Sequence, residues 1–182
     1  MRKNAKIVIV DYGVGNLRSL IRAFEHFGVD IALTEEADKI SLADAIVLPG
    51  DGAYEAGMHG LEVRNLTGAV GDFAKANKPI LGICLGAQIL MTEGYEFGHH
   101  KGLGLVDGRV VKFGKLKGEK IPQIGWNSLS IPQGKNWKNT ILGGIKADSN
   151  VYFIHSYILE PKNKKDILAY SAYGGFKFTS VI

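Results

Sequence analysis

Four short apolar runs, separated by helix-like or turn-rich stretches, constrain the fold of this chain more than any other feature. Ile7-Val8-Ile9-Val10, Val29 to Leu33, Ala45-Ile46-Val47-Leu48 and Pro79-Ile80-Leu81-Gly82-Ile83 are short, β-branched and nearly free of polar residues. That is the pattern of strands covered on both faces. Between the first two, Leu17, Leu20, Ile21, Phe24 and Phe27 recur at helical spacing until Gly28, which can end a helix in the left-handed conformation. Leu66, Val70 and Phe73 repeat the spacing before the fourth run. Alternating strands and helices predict an α/β fold with a doubly wound, mostly parallel sheet flanked by helices, of the flavodoxin-like kind.

From about Gly102 the runs become shorter and are bounded by Gly, Pro and Asn: Leu103 to Phe113, Ile121 to Ile124, Leu129 to Ile131, Val151 to Leu159, and Ile167 to Tyr173. They predict an antiparallel, hairpin-rich C-terminal extension. No linker composition intervenes, and 182 residues with 46% apolar content suit one core, so residues 1–182 read as a single domain.

The fourth strand runs into Gly82-Ile83-Cys84-Leu85-Gly86, and a helical pattern from Ala87 to Met91 follows. A G-x-C-x-G sequence between strand and helix is the context of a nucleophile elbow, in which glycines two residues either side make room for a sharp turn. The turn lifts the thiol of Cys84 clear of the backbone. It also sets the thiol at a helix N-terminus, where N–H groups favour a thiolate. The N–H of Leu85 is then placed to stabilise an oxyanion on a carbonyl attacked by Cys84. The neighbouring strand ends in Pro49-Gly50-Asp51-Gly52, at the carboxyl edge where sites form in open α/β sheets. Its glycines let backbone N–H groups approach a substrate at Gly50 and supply a second oxyanion donor at Gly52.

Six segments together resemble the class I glutamine amidotransferases, and among them the glutaminase subunits of imidazole glycerol phosphate synthase. They are Asp11-Tyr12-Gly13-Val14-Gly15-Asn16-Leu17, Pro49-Gly50-Asp51-Gly52, Gly82-Ile83-Cys84-Leu85-Gly86-Ala87-Gln88, Gly102-Leu103-Gly104-Leu105, Ile124-Gly125-Trp126-Asn127 and Phe153-Ile154-His155-Ser156-Tyr157. The resemblance spans essentially the whole chain. It implies hydrolysis of the glutamine side-chain amide through a thioester on Cys84, and passage of the ammonia to a (β/α)8-barrel cyclase partner in a heterodimer of histidine biosynthesis. It further implies that Gln88 and Glu96 hold the polar groups of glutamine and that Ser156 and Tyr157 line the glutamine pocket or the subunit interface. No cofactor is implied.

Two departures from that pattern stand out. The family completes its triad with His and Glu in a Gln-Phe-His-Pro-Glu sequence soon after the strand that here reads Phe176 to Ile182, and no such sequence occurs in these residues. The expectation is a chain truncated before that motif, with an unpaired sheet edge beside Phe176 to Ile182. Asp51 stands where the histidine-pathway subunits carry an apolar residue, so its side chain is expected to face outward or toward the partner. It keeps open a paralogous amidotransferase that feeds amino-sugar synthesis for surface polysaccharides. The absent triad members keep open a non-catalytic subunit.

The other histidines offer no replacement base. His155 lies at the end of a strand-like run, His26 on the first helix, His59 in a loop, and His99-His100 before a glycine-rich turn as exposed loop residues. None has the further ligands at the spacing a metal site needs. Glycines after the first strand hint at a dinucleotide site, but a G-x-G-x-x-G would require glycine where Arg18 stands.

Charge and cysteine usage bound the remaining classes. The net charge of +4 is spread over scattered lysines and short groups such as Lys162-Asn163-Lys164-Lys165, a solvated pattern and not a nucleic-acid stripe. A lone cysteine forms no internal disulfide. With no apolar run of membrane-spanning length, and with Met1-Arg2-Lys3-Asn4 leading straight into the first strand, the expectation is a soluble cytoplasmic protein without membrane contact.

Overall fold

The computed structural model describes residues 5–182; the opening segment Met1-Arg2-Lys3-Asn4 lies outside the described residues. The chain divides into two compact units. One holds the chain up to Gly94 together with His100–Leu105, and the other holds Tyr95–His99 and Val106–Ile182.

In the first unit, β1 (Ile7–Val10), β2 (Ile31–Thr34), β3 (Ala45–Leu48) and β4 (Ile80–Gly82) form a sheet in the order β2-β1-β3-β4. All three pairings are parallel. Parallel neighbours need crossover connections, supplied by α1 (Leu17–His26) between β1 and β2, α2 (Ala37–Ser41) between β2 and β3, and α3 (Tyr54–Val63) with α4 (Leu66–Lys75) between β3 and β4. The central strands are apolar because both faces are covered: Val8, Ile9, Val10, Ile46, Val47 and Leu48 are all buried. Leu66, Val70 and Phe73 are buried on α4, as their spacing predicts.

Several boundaries differ from the sequence reading. The second strand begins at Ile31, two residues after Val29, and the fourth is confined to Ile80–Gly82. Helix α1 ends at His26, so Phe27 lies beyond it and is exposed. Helix α3 has no strong apolar stripe, because Gly57 and Gly60 occupy its inward face, and it puts His59 on a helix and not in a loop. Gly60 belongs there because a Cβ would collide with the Tyr12 carbonyl oxygen. The helix after Cys84 is the single turn α5 (Leu85–Gln88); Met91, expected to be helical, starts β5 (Met91–Gly94), which pairs with β6 (His100–Lys101). His100 is accordingly half-buried in a strand and not an exposed loop residue.

The second unit is antiparallel, as its short turn-bounded runs predict. β7 (Val106–Lys112), β10 (Tyr157–Pro161), β12 (Phe176–Val181) and β11 (Ala169–Tyr173) lie in the order β11-β12-β10-β7. Strand β12 therefore has a neighbour on each side, and the unpaired edge expected beside Phe176 to Ile182 is not there. The apolar run from Val151 to Leu159 is broken at Ser156 into β9 (Asn150–His155) and β10. Strand β9 pairs with β8 (Gln123–Ser128), a single strand through Gly125-Trp126-Asn127, the segment that separates two apolar runs in the sequence. Of the run from Leu129 to Ile131 only a bridge between Ser130 and Tyr170 remains. Phe113, Ile158 and Phe178 form one core, with Phe153, Tyr173 and Phe176 against it; Leu129, Trp137 and Ala169 form another.

Candidate functional site

Cys84 occupies a backbone conformation that non-glycine residues rarely adopt, with φ 54° and ψ −114°. Such strain costs about 1–3 kcal/mol and persists only where the surroundings enforce it. Here they do. Ile83 N–H donates to the Leu48 carbonyl oxygen at 2.9 Å, holding the end of β4 against β3. One residue past Cys84, α5 begins and turns the chain back: Gly86 donates to Ile83 at 2.9 Å, and Ala87 and Gln88 both donate to the Cys84 carbonyl oxygen at 2.9 and 3.0 Å. Between strand and helix the backbones touch. A Cβ on Gly82 would sit 2.7 Å from the nitrogen and Cα of Ala87, and one on Gly86 would overlap the Leu48 carbonyl oxygen. The G-x-C-x-G spacing is thus a packing requirement, and its consequence is that the thiol of Cys84 is exposed.

The helix behind the thiol is four residues long, so what it offers is local N–H groups and little cumulative dipole. The N–H groups of Gly86, Ala87 and Gln88 are all engaged within the turn. That of Leu85 has no acceptor among the described residues, and neither has that of Gly52. Leu85 itself is buried against α3: Gly57 lies so close that a Cβ there would touch its side chain at 3.2 Å. The loop Pro49-Gly50-Asp51-Gly52 follows β3, and Gly50 packs on the elbow, where a Cβ would come within 2.7 Å of Leu85 Cβ and 2.9 Å of Gly86 N. Gly52 adopts φ 103° at an open position. Asp51 is exposed, and its charge reaches the buried Tyr12. Burial first, and then the charges of Cys84 and Asp51, push the Tyr12 phenol far up, so it stays protonated.

In the second unit, Glu96 lies between β5 and β6 beside Tyr157, the first residue of β10. Burial and then the Glu96 carboxylate push the Tyr157 phenol up. Ser156 is half-buried, and its carbonyl oxygen accepts from Phe113 N–H at 3.0 Å. Cys84, Leu85, Gly50, Gly52 and Gln88 are thus grouped in one unit, and Glu96, Ser156 and Tyr157 in the other.

His155 is a core residue. Its Nδ1 donates to the Tyr157 carbonyl oxygen at 2.9 Å, and its ring stacks among Phe113, Phe153 and Phe178 at centroid distances of 4.9 to 5.4 Å. Burial lowers its pKa below the ordinary histidine value. Tyr12 stands in the sequence only as one residue of the segment after the first strand; what singles it out is its complete burial with a hydroxyl that donates to the Pro49 carbonyl oxygen.

The family model described as glutamine amidotransferase class-I matches residues 8–178. The imidazole glycerol phosphate synthase subunit HisH 1 of Legionella pneumophila (strain Lens) is 45% identical over 98% of this chain and 86% of its own length. The HisH subunit of Aquifex aeolicus is 39% identical over 97% of this chain and 83% of its own. Among solved structures, a glutamine amidotransferase superimposes with a TM-score of 0.68 at 15% identity, covering 94% of this chain and 87% of that one. PurLQS from Thermotoga maritima gives 0.66 at 18%, covering 95% and 78%, and both show the fold. A strained cysteine on a strand-to-helix turn, this fold and full-length relatives agree: the chain belongs to the class I glutamine amidotransferase family, in the branch of the HisH subunits of imidazole glycerol phosphate synthase.

Proposed function

We propose that this chain hydrolyses the side-chain amide of glutamine at Cys84 and passes the ammonia to a partner synthase subunit that makes imidazole glycerol phosphate. The observation that carries the reading is the enforced positive φ of Cys84 on a turn that leaves its sulfur exposed. Strain of this kind serves to present a nucleophile.

In the proposed reaction the Cys84 thiolate adds to the amide carbon, and the carbonyl oxygen takes up the electron pair as an oxyanion. The N–H groups of Leu85 and Gly52 stabilise that oxyanion, a term worth about 3–4 kcal/mol per donor in well-studied hydrolases. Collapse expels the nitrogen, which leaves as ammonia after receiving a proton, and a thioester remains. Water then cleaves the thioester to glutamate and restores the thiol. Gly50 lines the substrate beside the elbow, and Gln88 holds its polar groups. The proton transfers call for a base beside the sulfur, and the family's Gln-Phe-His-Pro-Glu sequence is not among these residues.

A partner is supported by the β8–β9 hairpin. Ile124, Trp126, Tyr152 and Ile154 are 58%, 73%, 54% and 59% exposed. Ile124 faces Ile154, and Trp126 faces Tyr152. Four large apolar side chains on one face of a hairpin mark an interaction surface. We assign it to a (β/α)8-barrel cyclase. Among the described residues no helix is long and apolar enough to cross a membrane, and we place the complex in the cytoplasm.

The test is synthesis by the complex of this chain with such a cyclase, from glutamine and from added ammonia. Cys84→Ala is expected to abolish the first and spare the second. Equal loss of both, or glutamine-dependent synthesis that survives the substitution, overturns the reading.

A further inference from the structure

We propose that Tyr12 is a positioning residue for the oxyanion loop, its hydroxyl holding the Pro49 carbonyl and so setting the direction in which the N–H groups of Gly50-Asp51-Gly52 face. This inference rests on Cys84 being the nucleophile. It extends that reading to a residue which touches neither glutamine nor the sulfur in the proposed reaction.

Tyr12 lies two residues past the end of β1 and is completely buried, although a tyrosine carries a polar hydroxyl that must find a partner when removed from water. Its partner is the Pro49 carbonyl oxygen, the first carbonyl after β3. A trans peptide is rigid and planar, with its C=O and N–H on opposite sides. Holding the Pro49 oxygen toward Tyr12 therefore points the Gly50 N–H the opposite way and fixes where the next two N–H groups begin.

The same loop grips this peptide at a second point. Gly15 lies so near that a Cβ there would come within 3.2 Å of both Gly50 N and Pro49 Cβ. Tyr12 is itself anchored from behind: its carbonyl oxygen accepts from Arg64 Nη1 at 3.3 Å and fills the space left by the missing side chain of Gly60. The segment from Tyr12 to Gly15 is thus a brace between α3 and the loop after β3. The charges of Cys84 and Asp51 both act on the phenol.

A brace of the oxyanion loop and an ordinary core tyrosine make different predictions for two reactions of the same sulfur. Attack of Cys84 on p-nitrophenyl acetate builds a tetrahedral oxyanion, expels p-nitrophenolate and leaves an acetyl thioester. Attack on iodoacetamide displaces iodide in one step and builds no oxyanion. Both rates are measured in the full chain, with Cys84→Ala as the blank.

In Tyr12→Phe, acylation is expected to fall roughly tenfold to a hundredfold, because small misplacements of catalytic groups cost that much, while alkylation stays within about twofold of wild type. Gly15→Ala, which presses on the same peptide from its other side, is expected to give the same split. Acylation unchanged in both variants, or acylation and alkylation falling together in both, overturns the proposal. So does a wild-type Cys84 that alkylates without acylating. The split is read without glutamine or a partner, so a chain that shows it while glutamine-dependent synthesis by the cyclase complex survives Cys84→Ala refutes the proposed function and leaves the role of Tyr12 standing.

Discussion

Gly86 lies against Leu48 so closely that the Leu48 carbonyl oxygen occupies the place where a Cβ on residue 86 would stand. The contact joins the first turn after the nucleophile to the strand beside it. Gly86→Ala cannot be absorbed by a rotamer change, since the obstacle is backbone. The substitution is expected to lower stability by about 3 kcal/mol or more, as overpacking of a rigid contact does. The rate of Cys84 alkylation should change as well, because relief requires the elbow to move. Denaturant titration and thiol labelling check the two effects together.

Trp126 and Tyr152 meet edge to face with ring centroids 5.7 Å apart on the exposed side of the β8–β9 hairpin. Their removal should leave the fold intact, since both residues are more than half exposed. Trp126→Ala is expected to weaken partner binding by about 2 kcal/mol or more, the scale of an aromatic anchor at the centre of an interface. Calorimetric titration of the cyclase against wild type and variant measures it. Unchanged affinity moves the interface elsewhere.

His155 is neutral in the fold because burial among aromatic rings lowers its pKa. The unfolded chain, with an ordinary histidine pKa of about 6.5, then binds more protons than the folded one at mildly acid pH. Stability contributed by this residue is full above about pH 6.5 and is lost as the pH falls below it toward the lowered folded value. His155→Gln is expected to be less stable at neutral pH and to flatten that acid loss. Denaturant midpoints at about pH 7.5 and about pH 5 compare the slopes.

Because Cys84 is exposed, a small base can reach it from solvent. Added imidazole is expected to accelerate glutamine hydrolysis by these residues and to leave Cys84→Ala inert. Steady-state rates against imidazole concentration at fixed pH show whether proton transfer at Cys84 limits turnover.

The alternation of apolar runs was enough to determine the parallel sheet, because a strand covered on both faces must be apolar along its length. G-x-C-x-G likewise marked the elbow, since only glycine tolerates backbone contact on either side of such a turn. Helix α3 is not legible in the sequence because glycines fill its inward face, and the helix after Cys84 reads too long because Ile89 and Met91 are buried whether helical or extended. What the tertiary structure alone decided are relationships between segments distant along the chain. Tyr12 reaches Pro49 across 37 positions, and the register of β8 against β9 sets Trp126 and Ile124 on the exposed face while Gln123 and Phe153 turn inward. A sequence records which residues are apolar; which apolar face remains uncovered depends on strand pairing, and pairing is fixed only when the chain closes on itself.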